Sequence, residues 1–262
     1  MITALDRISL QVRDLQTATE AMARLLACGA VPGEDNATFQ LTNVRLELTA
    51  SDGNDEGLAG ISFEVDGADA AFRAAERRAL RPRAPVAFAE TDADGQGRAG
   101  RHIELDEIAT FGVPIRLVEY REKPSAAAPQ ASANAAVTGL DHIVVRTTHP
   151  NRAAALYGAR LGLDMRLDRT EPKWGSRLMF FRCGDLIVEV VHELKVEPSD
   201  APDRLWGLSW RVSDAGAAHA RLAAAGVNIS DVRAGRKPGT RVFSVRDGTL
   251  GVPTLIVEPS KR

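Results

Sequence analysis

The chain lacks most of the features that would settle its class at once. Two cysteines, Cys28 and Cys183, in 262 residues are too few for a disulfide framework, which fits a reducing, cytoplasmic setting. Both read as small buried residues rather than nucleophiles. No apolar run approaches bilayer-spanning length. The stretch Met1–Arg13 carries Asp6 and Arg7 instead of a basic and then apolar signal pattern. The expectation is a cytoplasmic protein with no membrane partner. An excess of charge is missing too: 33 Lys and Arg stand against 35 Asp and Glu, so no whole-chain basic footprint points to nucleic acid.

What is present is internal repetition, the feature to look for first because it decides the architecture. Leu140-Asp141-His142-Ile143-Val144-Val145-Arg146-Thr147 alternates as a half-buried strand does, and Leu5–Val12 matches it. Ile8, Leu10 and Val12 share one face. A helix follows each strand. Asp14 caps the first, with Leu15, Met22, Leu25 and Leu26 as its stripe and Gly29 as its stop. Pro150 opens the other, which runs to Leu161 with Gly162 at its end. Gly60-Ile61-Ser62-Phe63-Glu64-Val65 matches Gly207-Leu208-Ser209-Trp210-Arg211-Val212. Helices follow at Ala68–Leu80 and after Asp214, the last one stopped by Gly226. Gly112-Val113-Pro114 and Gly251-Val252-Pro253 open matching closing strands, Val113–Tyr120 and Thr254–Glu258. Further strands are expected at Val44–Leu48, Arg101–Ile108, Arg177–Arg182, Leu186–Val191 and Arg241–Val245, with polar loops at Ser51–Gly57 and Thr91–Gly100. The fold class is α+β: four βαβββ units in two tandem halves, 1–122 and 138–262. Between them 123–137, with two prolines and no apolar periodicity, reads as a linker.

Paired four-strand units, one opened by Leu-Asp-His-Ile-Val-Val, resemble the vicinal oxygen chelate superfamily of glyoxalases, bleomycin-resistance proteins and extradiol ring-cleaving dioxygenases. The resemblance covers nearly the whole chain outside the linker. It implies that paired units form a cup, with metal ligands on the first and last strands of each unit. His142 stands at the first-strand histidine position and Glu189 at the first glutamate position. A neutral imidazole and a carboxylate are sensible ligands for a divalent ion. The other positions depart from the pattern: Gly207 replaces the second histidine and Leu255 the second glutamate. In the N-terminal half Arg7, Glu47, Gly60 and Arg116 occupy the four places, and arginine stays protonated and cannot ligate. The incomplete set disfavours three-ligand extradiol cleavage and four-ligand glyoxalase chemistry.

Two functions remain open. One is an enzyme acting on a small oxygenated molecule, which could be anionic, in a lyase, isomerase or ring-cleavage type of reaction centred on His142 and Glu189. These two would hold a divalent metal ion (iron, manganese, nickel or zinc) or, without any cofactor, act as an acid–base pair. The other is a metal-free binding protein of the bleomycin-resistance kind. Candidate ligand-binding residues are Arg146, on the cup-side parity of the His142 strand, and Ser209 and Arg211. Trp174 and Trp206 lie in loops, whereas Trp210 has core parity. Arg236 and Arg241 belong to a basic cluster, read as a solvated hairpin or an anion-binding lip. Arg7 with Glu47 reads as an ion pair or an anion site. His192 would need a bulge to reach the cup. The chain could be a monomer or a homodimer.

Overall fold

The computed structural model describes residues 1–51, 53, 56–91, 97–122 and 135–260. The expected linker lies outside the described residues from 123 to 134, as do parts of both expected loops, at 52, 54, 55 and 92–96. The first unit is β1 Ile2–Val12, α1 Leu15–Leu26, β2 Val31–Pro32, β3 Asn36–Gln40 and β4 Arg45–Ala50. The second is β5 Gly57–Val65, α2 Ala68–Arg77, β6 Val86–Thr91, β7 Gly97–Glu104 and β8 Ile115–Tyr120. The third is β9 Val137–Arg146, α3 Pro150–Ala154, β10 Asp164–Glu171, β11 Ser176–Cys183 and β12 Leu186–Glu193. The fourth is β13 Arg204–Val212, α4 Ala215–Ala224, β14 Arg233–Ala234, β15 Arg241–Val245 and β16 Thr254–Glu258. Two eight-stranded sheets result, ordered β2-β3-β4-β1-β5-β8-β7-β6 and β10-β11-β12-β9-β13-β16-β15-β14. This is the α+β arrangement of tandem glyoxalase-like domains.

The period-two pattern decides which faces are buried. Ile8, Leu10, Val12, Ile143 and Val145 are buried, as are Phe63 and Trp210 at matching places in β5 and β13. Each such large side chain contributes about 1.5–3 kcal/mol relative to an exposed one. Asp14 and Asp214 cap α1 and α4 as expected, accepting from Thr17 N and from Gly216 and Ala217 N.

Three expectations need correction. The helix from Pro150 to Leu161 is α-helical only through Ala154 and continues as π-helical turns over Ala155–Arg160. Val86–Thr91 is a strand, β6, at a sheet edge, and β7 begins at Gly97 rather than Arg101, so both ends of the expected Thr91–Gly100 loop are strand. The edge strand β10 was not expected at all. It is largely exposed and rich in charge, so the alternation that marks a half-buried strand is missing. Its anchorage comes from its neighbour: Arg177 on β11 holds Asp168 through Nε and Nη2 at 2.8 and 2.7 Å.

The chain divides into two compact units. One takes Met1–Arg7, the second repeat and His142–Trp206; the other takes Ile8–Ala59, the entry to β9 and the fourth repeat. Within the first, Arg160 caps the C-terminus of α2. It donates to the carbonyls of Arg78 at 2.8 Å and Ala109 at 2.9 Å, and also to that of Ala79. Within the second, Arg221 does the same for α1, donating to the carbonyls of Arg24 and Leu25. Cations belong at these helix ends, where orphan carbonyls gather. The Asn43 side chain donates to Leu140 O at 2.8 Å and accepts from Leu140 N at 2.9 Å, which fixes the start of the strand carrying His142.

Candidate functional site

Strand β9 pairs in parallel with β12, with Ile187 opposite His142, Glu189 opposite Val144 and Val191 opposite Arg146. Parity therefore puts His142, Val144 and Arg146 on the same face as Glu189 and Glu193. The structure brings the two central candidates together: His142 Nε2 lies 3.3 Å from Glu189 Oε2, with the side chains 20% and 14% exposed. The carboxylate sits between the buried Val188 and Val190, where a charge is costly without a partner.

A second pairing lies two strand steps on. Arg146 Nη1 is 3.3 Å from Glu193 Oε1, and its guanidinium lies 4.2 Å over the Trp206 ring. Glu193 was missed in the sequence because the expected strand stopped at Val191. Period two continued from Glu189 would have found it. Trp174 stands in a 3-10 turn with Arg169 at 5.7 Å from its ring. Ser209 is buried on β13 opposite Leu255. Arg211 Nε approaches Asp141 Oδ1 at 3.7 Å. Arg241 is held by Glu258 at 3.2 Å, and the same carboxylate accepts from Ala215 N at the start of α4. Arg236 lies exposed between β14 and β15. In the N-terminal half Arg7 Nη2 donates to both oxygens of Glu90 at 2.7 and 2.8 Å, and Glu47 accepts from Ser9 Oγ at 3.3 Å. Arg116 binds Glu104 at 3.0 Å.

The other histidines have structural surroundings. His192 lies in the regular register between β11 and β12, without a bulge, and is buried with Nδ1 3.2 Å from Thr147 O. His149 caps α3 by accepting from Arg152 N. His219 packs edge-on against Phe243, and His102 lies 6.1 Å from Phe88.

Whether these donors fit a metal is decided by geometry. Among the described residues no group of three or more His, Cys, Asp or Glu side chains could hold an ion. At Gly207, the place of the second histidine in the resemblance, a Cβ would come within 2.9 Å of the Pro253 carbonyl oxygen. No side chain enters there without moving backbone. Gly60, its counterpart, has Pro114 O at 3.3 Å from the same point. Among the described residues a three-ligand protein centre does not fit.

Residues 139–249 match the profile of the Glyoxalase/Bleomycin resistance protein/Dioxygenase superfamily. Solved structures resemble the whole chain. The Mn(II)-bound glyoxalase from Novosphingobium aromaticivorans has a TM-score of 0.73 at 14% identity, with 99% of this chain and 83% of that chain covered. A mutant 4-hydroxymandelate synthase from Streptomyces coelicolor gives 0.71 at 14% identity, covering 100% and 94%. A catechol 2,3-dioxygenase gives 0.68 at 18% identity, covering 99% and 89%. No curated protein matches the chain by sequence. The match to the glyoxalase, bleomycin-resistance and dioxygenase superfamily thus lies in the C-terminal half. Over its full length the chain has the fold of two-domain, tandem vicinal oxygen chelate proteins; at these identities the likeness to the solved structures is one of fold.

Proposed function

We propose that the protein is an enzyme that moves a proton on a small oxygenated molecule, in a lyase or isomerase type of reaction, with His142 and Glu189 as its acid–base pair. The observation that carries this reading is the 3.3 Å contact between the two side chains, half-buried on adjacent strands, in a donor set too small for a three-ligand metal centre. Glu189, 3.3 Å from Nε2, orients the imidazole. His142 then takes the proton from a carbon or hydroxyl of the substrate. Glu189 stabilises the imidazolium, and the proton returns to the product. A carboxylate beside an imidazole also stabilises its charged form, which keeps the pair intact during transfer. Localisation in the cytoplasm is part of this proposal; among the described residues no helix is long and apolar enough to cross a membrane.

A binding protein of the bleomycin-resistance kind is the second reading, favoured by the closed position at Gly207. One experiment separates them. Wild-type protein, His142→Ala and Glu189→Gln are assayed against a panel of small carbonyl and hydroxy compounds, with elemental analysis of tag-free protein alongside. Turnover lost by about 10²–10⁴-fold in His142→Ala, with unchanged unfolding, supports the dyad. No turnover in any assay supports binding. Near one divalent ion per chain, lost with His142, would replace the dyad by an open two-ligand metal site.

A further inference from the structure

Beside the dyad stands a cluster that proton transfer does not use. Arg146 lies four residues along β9 from His142 on the same parity, and Glu193 lies four residues along β12 from Glu189. Arg146 meets both the Glu193 carboxylate, 3.3 Å from Nη1, and the Trp206 ring, 4.2 Å from its Cζ. Both charged side chains are about one-third exposed, and Trp206 is 36% exposed although it is a large apolar residue. Leu194, next in the chain to Glu193, is exposed as well. Lys195 Nζ also approaches Glu193, at 3.3 Å.

The platform is held rigidly. Asp203, three residues before Trp206, is fully buried and accepts from Thr147 Oγ1 at 2.7 Å and Arg152 Nη2 at 2.9 Å. Its N–H donates to Phe111 O at 2.7 Å. Arg152 also holds Ala201 O at 2.8 Å. The chain entering β13 is thereby tied to the end of β9, and Trp206 is presented over Arg146 by a fixed frame.

A guanidinium stacked on an indole and facing a carboxylate has the geometry of a recognised anion: one bidentate fork and one flat apolar wall. We infer that Arg146 and Trp206 form the recognition site for a planar carboxylate, and that Glu193 is a built-in competitor occupying the place of the ligand's carboxylate. This rests on the proposed dyad only for what happens next. With about 3.3 Å per strand residue, the Cα atoms of His142 and Arg146 are about 13 Å apart. A ligand anchored at Arg146 therefore reaches His142 through a body of one ring and a short arm. On binding, the ligand displaces Glu193, which keeps Lys195 as its partner. Ligands without an anion cannot displace it, so the internal carboxylate sets selectivity as well as affinity.

The test is calorimetry on the full chain with benzoate, benzamide and acetate as probes. Benzoate is expected to bind at least about tenfold more tightly than the other two, since benzamide lacks the charge and acetate the ring. Glu193→Gln is expected to tighten benzoate several-fold and leave benzamide unchanged. Arg146→Gln is expected to remove the preference for benzoate over benzamide, and Trp206→Leu the preference over acetate. All three side chains are about one-third exposed, and unfolding midpoints are measured alongside to show that each variant folds. Absent benzoate binding, a Glu193→Gln variant no tighter than wild type, or a preference that survives Arg146→Gln would each overturn the inference. His142→Ala should bind benzoate as wild type does. Its loss of turnover reads the dyad alone, so failure of one proposal is distinguishable from failure of the other.

Discussion

The first strands of the first and third repeats carry the same pattern and hold different chemistry. Leu5-Asp6-Arg7-Ile8 stands where Leu140-Asp141-His142-Ile143 stands in the other half. Arg7 is locked onto Glu90 by two hydrogen bonds from one nitrogen, whereas His142 Nε2 stands 3.3 Å from Glu189 Oε2. A guanidinium keeps its proton at any accessible pH, so the N-terminal pair can only hold or bind charge. An imidazole has one nitrogen that can donate and one that can accept, so the C-terminal pair is the one the proposed proton transfer uses. The two halves keep one strand pattern around different side-chain pairs. A second contrast lies four residues before each matching glycine. Glu56, before Gly60, is an exposed partner of Arg13, while Asp203, before Gly207, is buried beneath Thr147 and Arg152. Burial outweighs those partners and raises the Asp203 carboxyl above the usual range.

The largest expected break in this comparison is catalytic. His142→Ala should lower turnover by about 10²–10⁴-fold in steady-state kinetics while chemical denaturation stays unchanged. Arg7→Ala should act on stability, costing about 1–3 kcal/mol through the charged hydrogen bonds to Glu90. Next comes the buried carboxylate. Asp203→Ala leaves Arg152 without its buried partner and should cost about 3–5 kcal/mol in urea unfolding, whereas Glu56→Ala should stay within about 0.5 kcal/mol. Equal losses would erase the contrast between the halves.

The matched glycines should differ more modestly. Gly207→Ala drives a Cβ to 2.9 Å from the Pro253 carbonyl oxygen and should cost about 1–3 kcal/mol; Gly60→Ala, at 3.3 Å from Pro114 O, should cost under about 1 kcal/mol. Gly207→His should gain no Mn(II) affinity by calorimetry. Tight binding in that variant would show that the position opens readily. The smallest effect concerns the thiols. Burial pushes Cys183 up to about 12 and Cys28 up to about 11, so both stay protonated at pH 8 and should resist iodoacetamide in the folded state, by intact mass. As pH rises, Cys28, half-buried in the N-terminal half, should react before Cys183.

Much of this was legible in the sequence because the relevant signals are local. Alternation at Leu5–Val12 and Leu140–Thr147, the caps Asp14 and Asp214, and the repeated Gly-Val-Pro openings report backbone geometry a few residues at a time. They are enough to yield four βαβββ units. Parity along β9 also put His142 and Arg146 on one face, and the family resemblance added Glu189 from the neighbouring strand. What lies at the edges was not legible: β6 and β10 bury little, so their sequences carry no period-two signature. The partners of the charged residues were not legible either. That Arg7 meets Glu90, that Arg146 meets Glu193 under Trp206, and that Asp203 is buried all depend on which strands the sheet makes adjacent. The sequence alone determined the repeat and the strand faces, because periodicity is a property of neighbouring residues; the histidine–glutamate pair followed from the resemblance those repeats carry. Only the tertiary structure decided that Gly207 admits no side chain and that Arg146 is already engaged. Both are distances between residues remote in the chain, fixed by packing rather than by local preference.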